Sequence, residues 1–181
     1  MFGFINYKLS KMKKFISAIT FLLLFTYCQN TTIDSGSLSG IINENDEKTT
    51  IIKKLAQAYQ DGNFDLARKY FTDDGVHYFN NIEYSTEEII EGYNFHSVLY
   101  DDLKHIDPYI TTMYYNSGEI YTNHWSDWSG KSKITGEVQK NTFHCWWQWE
   151  GDKIISTKCY LDPTELMEEI ALYQKKMSES K

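Results

Sequence analysis

Basic residues are scarce in this chain: 18 Lys and Arg stand against 25 Asp and Glu, for a formal charge of -7. Phosphate binding needs a basic stripe and these residues are scattered, so nucleic acid is not expected as a partner and a solvated acidic surface is. Cysteines number three. No Cys-x-x-Cys or His-x-x-x-His spacing brings three ligands together, so neither a metal site nor a cofactor is expected. There are two prolines and the mean hydropathy is -0.51, values of an ordinary soluble domain once the first 30 residues are set aside. The apolar run Phe15 to Tyr27 is too short to span a bilayer and has the length of a signal-peptide core.

What the chain does have is aromatic weight, 16% of its residues, within 41% hydrophobic content. With 181 residues this is enough for one well-filled core and too little for two large ones. Lys8, Lys11, Lys13 and Lys14 precede the apolar run, which reads as an export signal, and Met12 would itself make a normal start. Leu24 to Cys28 resembles a bacterial lipoprotein processing box, which implies a lipid on Cys28 and a cell-envelope location, anchored to a membrane. Tyr27 departs from the small residue usual before that cysteine. Residues 29–44, rich in Asn, Thr, Ser and Gly, have the composition of a flexible tether. The domain is expected over residues 45–181.

Within it, Ile51, Ile52, Leu55, Ala56 and Tyr59 recur at three and four residue steps, predicting a helix over Glu47 to Gln60 that Gly62 ends. Phe64 to Phe71 follows as a short second helix, Thr72 to Gly75 as a turn and Val76 to Phe79 as a brief strand. Ser85 and Glu88 form a capping box for a third helix running to about Leu103. Strands are expected over Ile106 to Tyr115 and Glu119 to Trp128, and Gly130 to Gly136 as a loop or wide hairpin end. The strongest local signal is Asn141 to Leu161, where Phe143, Cys145, Trp147 and Trp149 alternate with Thr142, His144, Trp146 and Gln148 before Gly151-Asp152 turns the chain. Asp162 caps a closing helix with Pro163 at its first position. Helices followed by consecutive strands mean an α+β fold with helices packed on one face of an antiparallel sheet.

Two segments resemble the nuclear transport factor 2-like superfamily, and within it the SnoaL-like group. Asp61-Gly62-Asn63-Phe64 through Phe71-Thr72-Asp73-Asp74-Gly75-Val76 is similar to its entry into the first strand. Trp149-Glu150-Gly151-Asp152-Lys153-Ile154 through Tyr160-Leu161-Asp162 is similar to its final hairpin turn, with Gly151 and Asp152 in reversed order. The resemblance covers about Asn45 to Tyr173. It implies a cone-shaped, strongly bent antiparallel sheet wrapped around the N-terminal helices, with a C-terminal helix and a small apolar cavity at one end. The implied cavity residues are Tyr59 and Phe79 from the early elements, Trp125 from the middle strands, and Phe143, Cys145, Trp147, Cys159 and Leu161 from the hairpin. A small apolar or aromatic molecule, or a protein partner, would bind there, and the outer sheet face would serve a homodimer.

The ketosteroid isomerase branch of that superfamily places a tyrosine, a base and an acid where this chain has Leu55, Phe79 or Asn80, and Cys145. None is kept, which argues against that mechanism. Cyclase and dehydratase branches use histidine and aspartate, since proton abstraction beside a carbonyl needs a base with a pKa near the operating pH. His124, His144 and Asp127, with His77, are the candidates, and the sequence leaves their faces open. The hairpin register stays open too: a two-residue turn opposes His144 to Cys159, whereas one bulged residue opposes Cys145 to Cys159. The two cysteines are expected as small buried hydrophobes in preference to a disulfide.

Overall fold

The structure, a computed structural model, describes residues 36–180; the signal segment, Cys28 and the start of the tether lie outside the described residues. The chain runs through β1 (Gly40–Asn43), α1 (Glu47–Gln60), a 3-10 helix (Phe64–Lys69), β2 (Phe71–Phe79), β3 (Ile82–Ser85) and α2 (Thr86–Leu99). It continues through β4 (Tyr100–Tyr115), β5 (Ile120–Ser132), β6 (Val138–Glu150), β7 (Lys153–Tyr160) and α3 (Thr164–Glu179). All seven strands form one curved sheet in the order β1-β4-β5-β6-β7-β2-β3. The fold is α+β, as expected, with α1 packed on the face that β4 and β5 turn inward.

α1 takes its expected bounds because both ends are chemically marked. Asp46 accepts the Thr49 amide at 2.6 Å, and Gly62 at φ 68° releases the chain after Asp61. Ile51, Ile52, Leu55 and Tyr59 are buried against the sheet, where Trp147 and Trp149 meet them in one core. A line of hydroxyls pins the helix: Thr49 bonds Thr112 and Thr112 bonds Thr122, each at 2.8 Å, and the Trp149 indole donates to Thr122 at 2.9 Å. Buried polar groups satisfied in this way fix one arrangement of helix on sheet. Ser85 and Glu88 form the expected capping box of α2.

Six expectations change. The tether gives way at its far end to strand, since Gly40 to Asn43 pair with Thr112 to Tyr115. The short second helix is 3-10 and stops at Lys69, and the expected turn Thr72 to Gly75 is an irregular part of β2. α2 ends at Leu99, because β4 begins there and carries two bulges, at Asp102 and Asp107, whose φ values are 53° and 48°. β5 runs on through Ser132, into the span expected as a loop. The sheet is also not wholly antiparallel. β2 runs parallel to β7, with Val76 beside Ser156 and Phe79 beside Cys159, a pairing open to strands joined by a long crossover.

The hairpin register is the bulged one. Gln148 faces Ser156 and Trp149 faces Ile154, which leaves Ile155 as the extra residue and sets Cys145 opposite Cys159. The two are joined as a disulfide, so the expectation of separate thiols is corrected.

Candidate functional site

A cavity of about 80 Å³ is lined by α1, α2 and the inner face of the sheet, and Glu165 and Leu166 from the first turn of α3 form part of its wall. This is small beside the roughly 300–1,000 Å³ of sites for drug-sized ligands. Seven of the eight expected residues line it: Tyr59, Phe79, Phe143, Cys145, Trp147, Cys159 and Leu161. The eighth, Trp125, does not. It points to the outer face, 44% exposed, stacked on His144 at 4.4 Å between ring centroids.

Strand alternation sorts the catalytic candidates in the same way. Along β5, Thr122, His124, Ser126 and Trp128 turn inward, while Trp125 and Asp127 turn outward. His124 is 2% exposed in the cavity wall. Asp127 accepts from the Thr142 hydroxyl, and His144 meets Asn123 at 3.0 Å, both away from the cavity. The three candidates therefore do not form one constellation. His77 is fully buried elsewhere. The Thr86 hydroxyl gives its proton to the Thr72 carbonyl, so His77 Nε2 donates to it; burial holds this imidazole at about 4 and hence neutral, which leaves His77 Nδ1 to accept from Thr157 in a structural role. Asp162 holds Thr164 through its amide and hydroxyl and is no part of the cavity wall.

Two cavity histidines escaped the sequence reading. His96, from α2, accepts from the Tyr59 hydroxyl at 2.9 Å, and the Trp128 indole donates to the same hydroxyl at 2.7 Å. An indole N–H can only donate, so Tyr59 accepts from it, and in the Nε2–H tautomer of His96 the phenol directs its own proton to His96 Nδ1. Tyr59 thus has no proton free for a ligand. His105, between the two bulges of β4, stacks on Tyr59 with centroids 5.1 Å apart and stands edge-on to His124 at 5.0 Å. Phe143 touches both imidazoles. His105 Nδ1, His124 Nε2 and Trp147 Nε1 are buried with no hydrogen-bond partner among the described residues.

Burial sets the electrostatics. It holds His96 and His105 at about 4 and His124 at about 3, the last also lowered by His105 and His144, against an ordinary 6.5. The Tyr59, Tyr93 and Tyr100 phenols are pushed far up by the same loss of water. At neutral pH every one of these groups is uncharged. The Tyr93 hydroxyl donates to Cys159 Sγ at 2.9 Å, so the disulfide is part of the polar edge of an otherwise apolar wall. Among the described residues no group of three His, Cys, Asp or Glu side chains could hold a metal ion, and no helix is long and apolar enough to cross a membrane.

No protein-family model matches the chain, and no curated protein does. Solved structures do. IdmH of Streptomyces antibioticus, a candidate polyketide cyclase, matches with a TM-score of 0.52 at 14% identity over 70% of this chain and 99% of its own. AclR of Streptomyces galilaeus, a candidate hydroxylase, gives 0.55 at 12% identity over 71% and 96%. A candidate SnoaL-like polyketide cyclase from Jannaschia gives 0.52 at 12% identity over 65% and 87%. The described domain thus has the nuclear transport factor 2-like fold of the SnoaL-like polyketide cyclases.

Proposed function

We propose that the domain binds a small, flat, mostly apolar molecule carrying one or two polar groups, at the cell envelope, where a lipid on Cys28 tethers it. The observation that carries the binding reading is the apolar cavity in which buried imidazole nitrogens find no protein partner. Such orphaned groups cost about 1–3 kcal/mol each unless something bonds them. The fold it shares with candidate polyketide cyclases and the small cavity support a single-ring ligand. Export is supported by the Cys145–Cys159 disulfide, a bond that persists in oxidising compartments. Full-length protein produced in a bacterium is expected to carry lipid by mass spectrometry of membrane extracts. The purified protein is expected to give saturable tryptophan quenching with single-ring aromatics, since Trp128 and Trp147 line the cavity. No quenching and no molecule retained in native mass spectrometry would end the binding reading.

The competing reading makes His124 the general base of a lyase, isomerase or hydrolase. Three histidines around the cavity, His96 from α2 and His105 and His124 from the sheet, favour it. Against it, a conjugate-acid pKa of about 3 in place of 6.5 makes His124 a base about three thousandfold weaker than an unperturbed imidazole. His144 and Asp127 stand on the opposite face and lend it no help. The outer face, where Trp125 and Tyr160 flank His144, is the surface we assign to pairing with a second copy; light scattering giving a monomer at all concentrations would remove that assignment.

A further inference from the structure

We infer that the cavity is selective for weak acids, single-ring carboxylic acids or acidic phenols, and takes each up together with one proton that His105 and His124 hold against the acid oxygen. This rests on the binding reading above and goes further, to the charge class of the ligand. Four observations carry it. The two imidazoles sit edge to face at 5.0 Å, both in the cavity wall, and one nitrogen of each, His105 Nδ1 and His124 Nε2, is buried and without a partner. The three hydroxyls of the wall are already committed, Tyr59 to Trp128 and His96, Tyr93 to Cys159 Sγ and Tyr100 to Gln139 Oε1. Among the described residues no lysine or arginine lines the cavity, and the one carboxylate that does, Glu165, comes from the first turn of α3. Apart from the uncharged amides Gln139 and Asn141, which bond Tyr100, Glu169 and the Asp162 carbonyl, the remaining wall is aromatic or aliphatic, so the site cannot hold a net charge of either sign cheaply.

These conditions select among ligands. A cation meets no carboxylate at the histidine pair. An anion alone meets two neutral imidazoles, and a proton alone meets no counter-ion. An acid arriving with its proton brings both, giving a pair that is neutral overall and bonds both orphaned nitrogens. The balance is an anion and a proton from water giving the complex, with no bond to carbon made or broken. The titratable groups around the pair are Tyr59 stacked on His105, His144 acting on His124 from the outer face, and His96, Tyr93, Tyr100 and Glu165 elsewhere on the wall. The aromatic groups and histidines among them are neutral for the reason given above, so none competes for the proton at neutral pH.

Calorimetry on the full chain with benzoate, and with benzamide as the neutral counterpart, between pH 6 and pH 8 tests this. Benzoate is expected to bind with uptake of close to one proton, seen as a dependence of the heat on the buffer's ionisation enthalpy, and to weaken up to about tenfold per pH unit. Benzamide is expected to bind more weakly and independently of pH. In His105→Gln and His124→Gln, each first checked for a cooperative unfolding transition, benzoate affinity is expected to fall at least about tenfold with benzamide affinity unchanged. Benzamide binding as well as benzoate, or benzoate binding without proton uptake, overturns the inference and leaves the binding reading in place. Binding of neither overturns both.

Discussion

At the scale of single residues, Tyr59 does more than fill space. Its phenol is the junction between the Trp128 indole and His96 Nδ1, and both neighbours are in the cavity wall with it. Replacing it by phenylalanine removes one oxygen and orphans two groups, so Tyr59→Phe is expected to cost about 2 kcal/mol of stability, more than its small change in volume would give. Urea midpoints for Tyr59→Phe, Trp128→Phe and the pair together check this. The double variant should lose clearly less than the sum, because the second change removes a partner already stranded; additive losses would show that the chain of hydrogen bonds is absent. His105 explains why such residues were only partly legible. The bulges at Asp102 and Asp107 stretch the spacing of inward side chains from two residues to three, so that Tyr100 and Leu103 are both buried. A step of three reads as helix, and the sequence expectation accordingly carried the third helix on to Leu103 and left His105 unassigned.

At the scale of elements, the β6–β7 hairpin joins fold and site. Its inward row, Phe143, Cys145 and Trp147, is at once core and cavity wall. The alternation of that row is written in the sequence with period two, and α1 is marked at both ends by Asp46 and Gly62, so both were legible from the residues alone. The pairing across the hairpin was not. One extra residue in β7, Ile155, decides whether Cys159 faces His144 or Cys145, and no composition rule marks it. The disulfide that follows closes a sequence separation of 14 residues, for which loop entropy gives about 3 kcal/mol. Reducing the native protein with a phosphine is therefore expected to lower its Tm by roughly 6–12 °C without changing the far-ultraviolet circular dichroism. An unchanged Tm after verified reduction would mean that the cross-link adds nothing to the hairpin.

For the molecule as a whole, the histidines set a limit that neither site nor hairpin shows alone. His77, His96 and His105 are each held at about 4 and His124 at about 3, all chiefly by burial, against 6.5 when exposed. The sign follows from which state binds the proton. Between about 4 and 6.5 the unfolded chain binds protons that the folded chain refuses, so stability is full above pH 6.5 and falls as the pH falls, by about 1.4 kcal/mol per pH unit for each histidine. Three carboxylates act in the same direction further down. Glu87 is lowered by its bond to Arg68, Glu88 by the Ser85 amide and hydroxyl, and Asp162 by Thr164. Their ordinary values, 4.5 and 3.8, leave the window above pH 5 to the histidines. The four histidines together rival the roughly 5–15 kcal/mol that holds a domain folded. The domain is therefore expected to unfold at a mildly acidic pH, with urea midpoints between pH 7 and pH 5 giving a slope equivalent to at least two protons. The double variant His105→Gln with His124→Gln should reduce that slope by one to two protons and shift the acid midpoint downward. A slope below one proton in the native protein would show that the four imidazoles see water, and would remove the desolvated histidines on which the reading of the site depends.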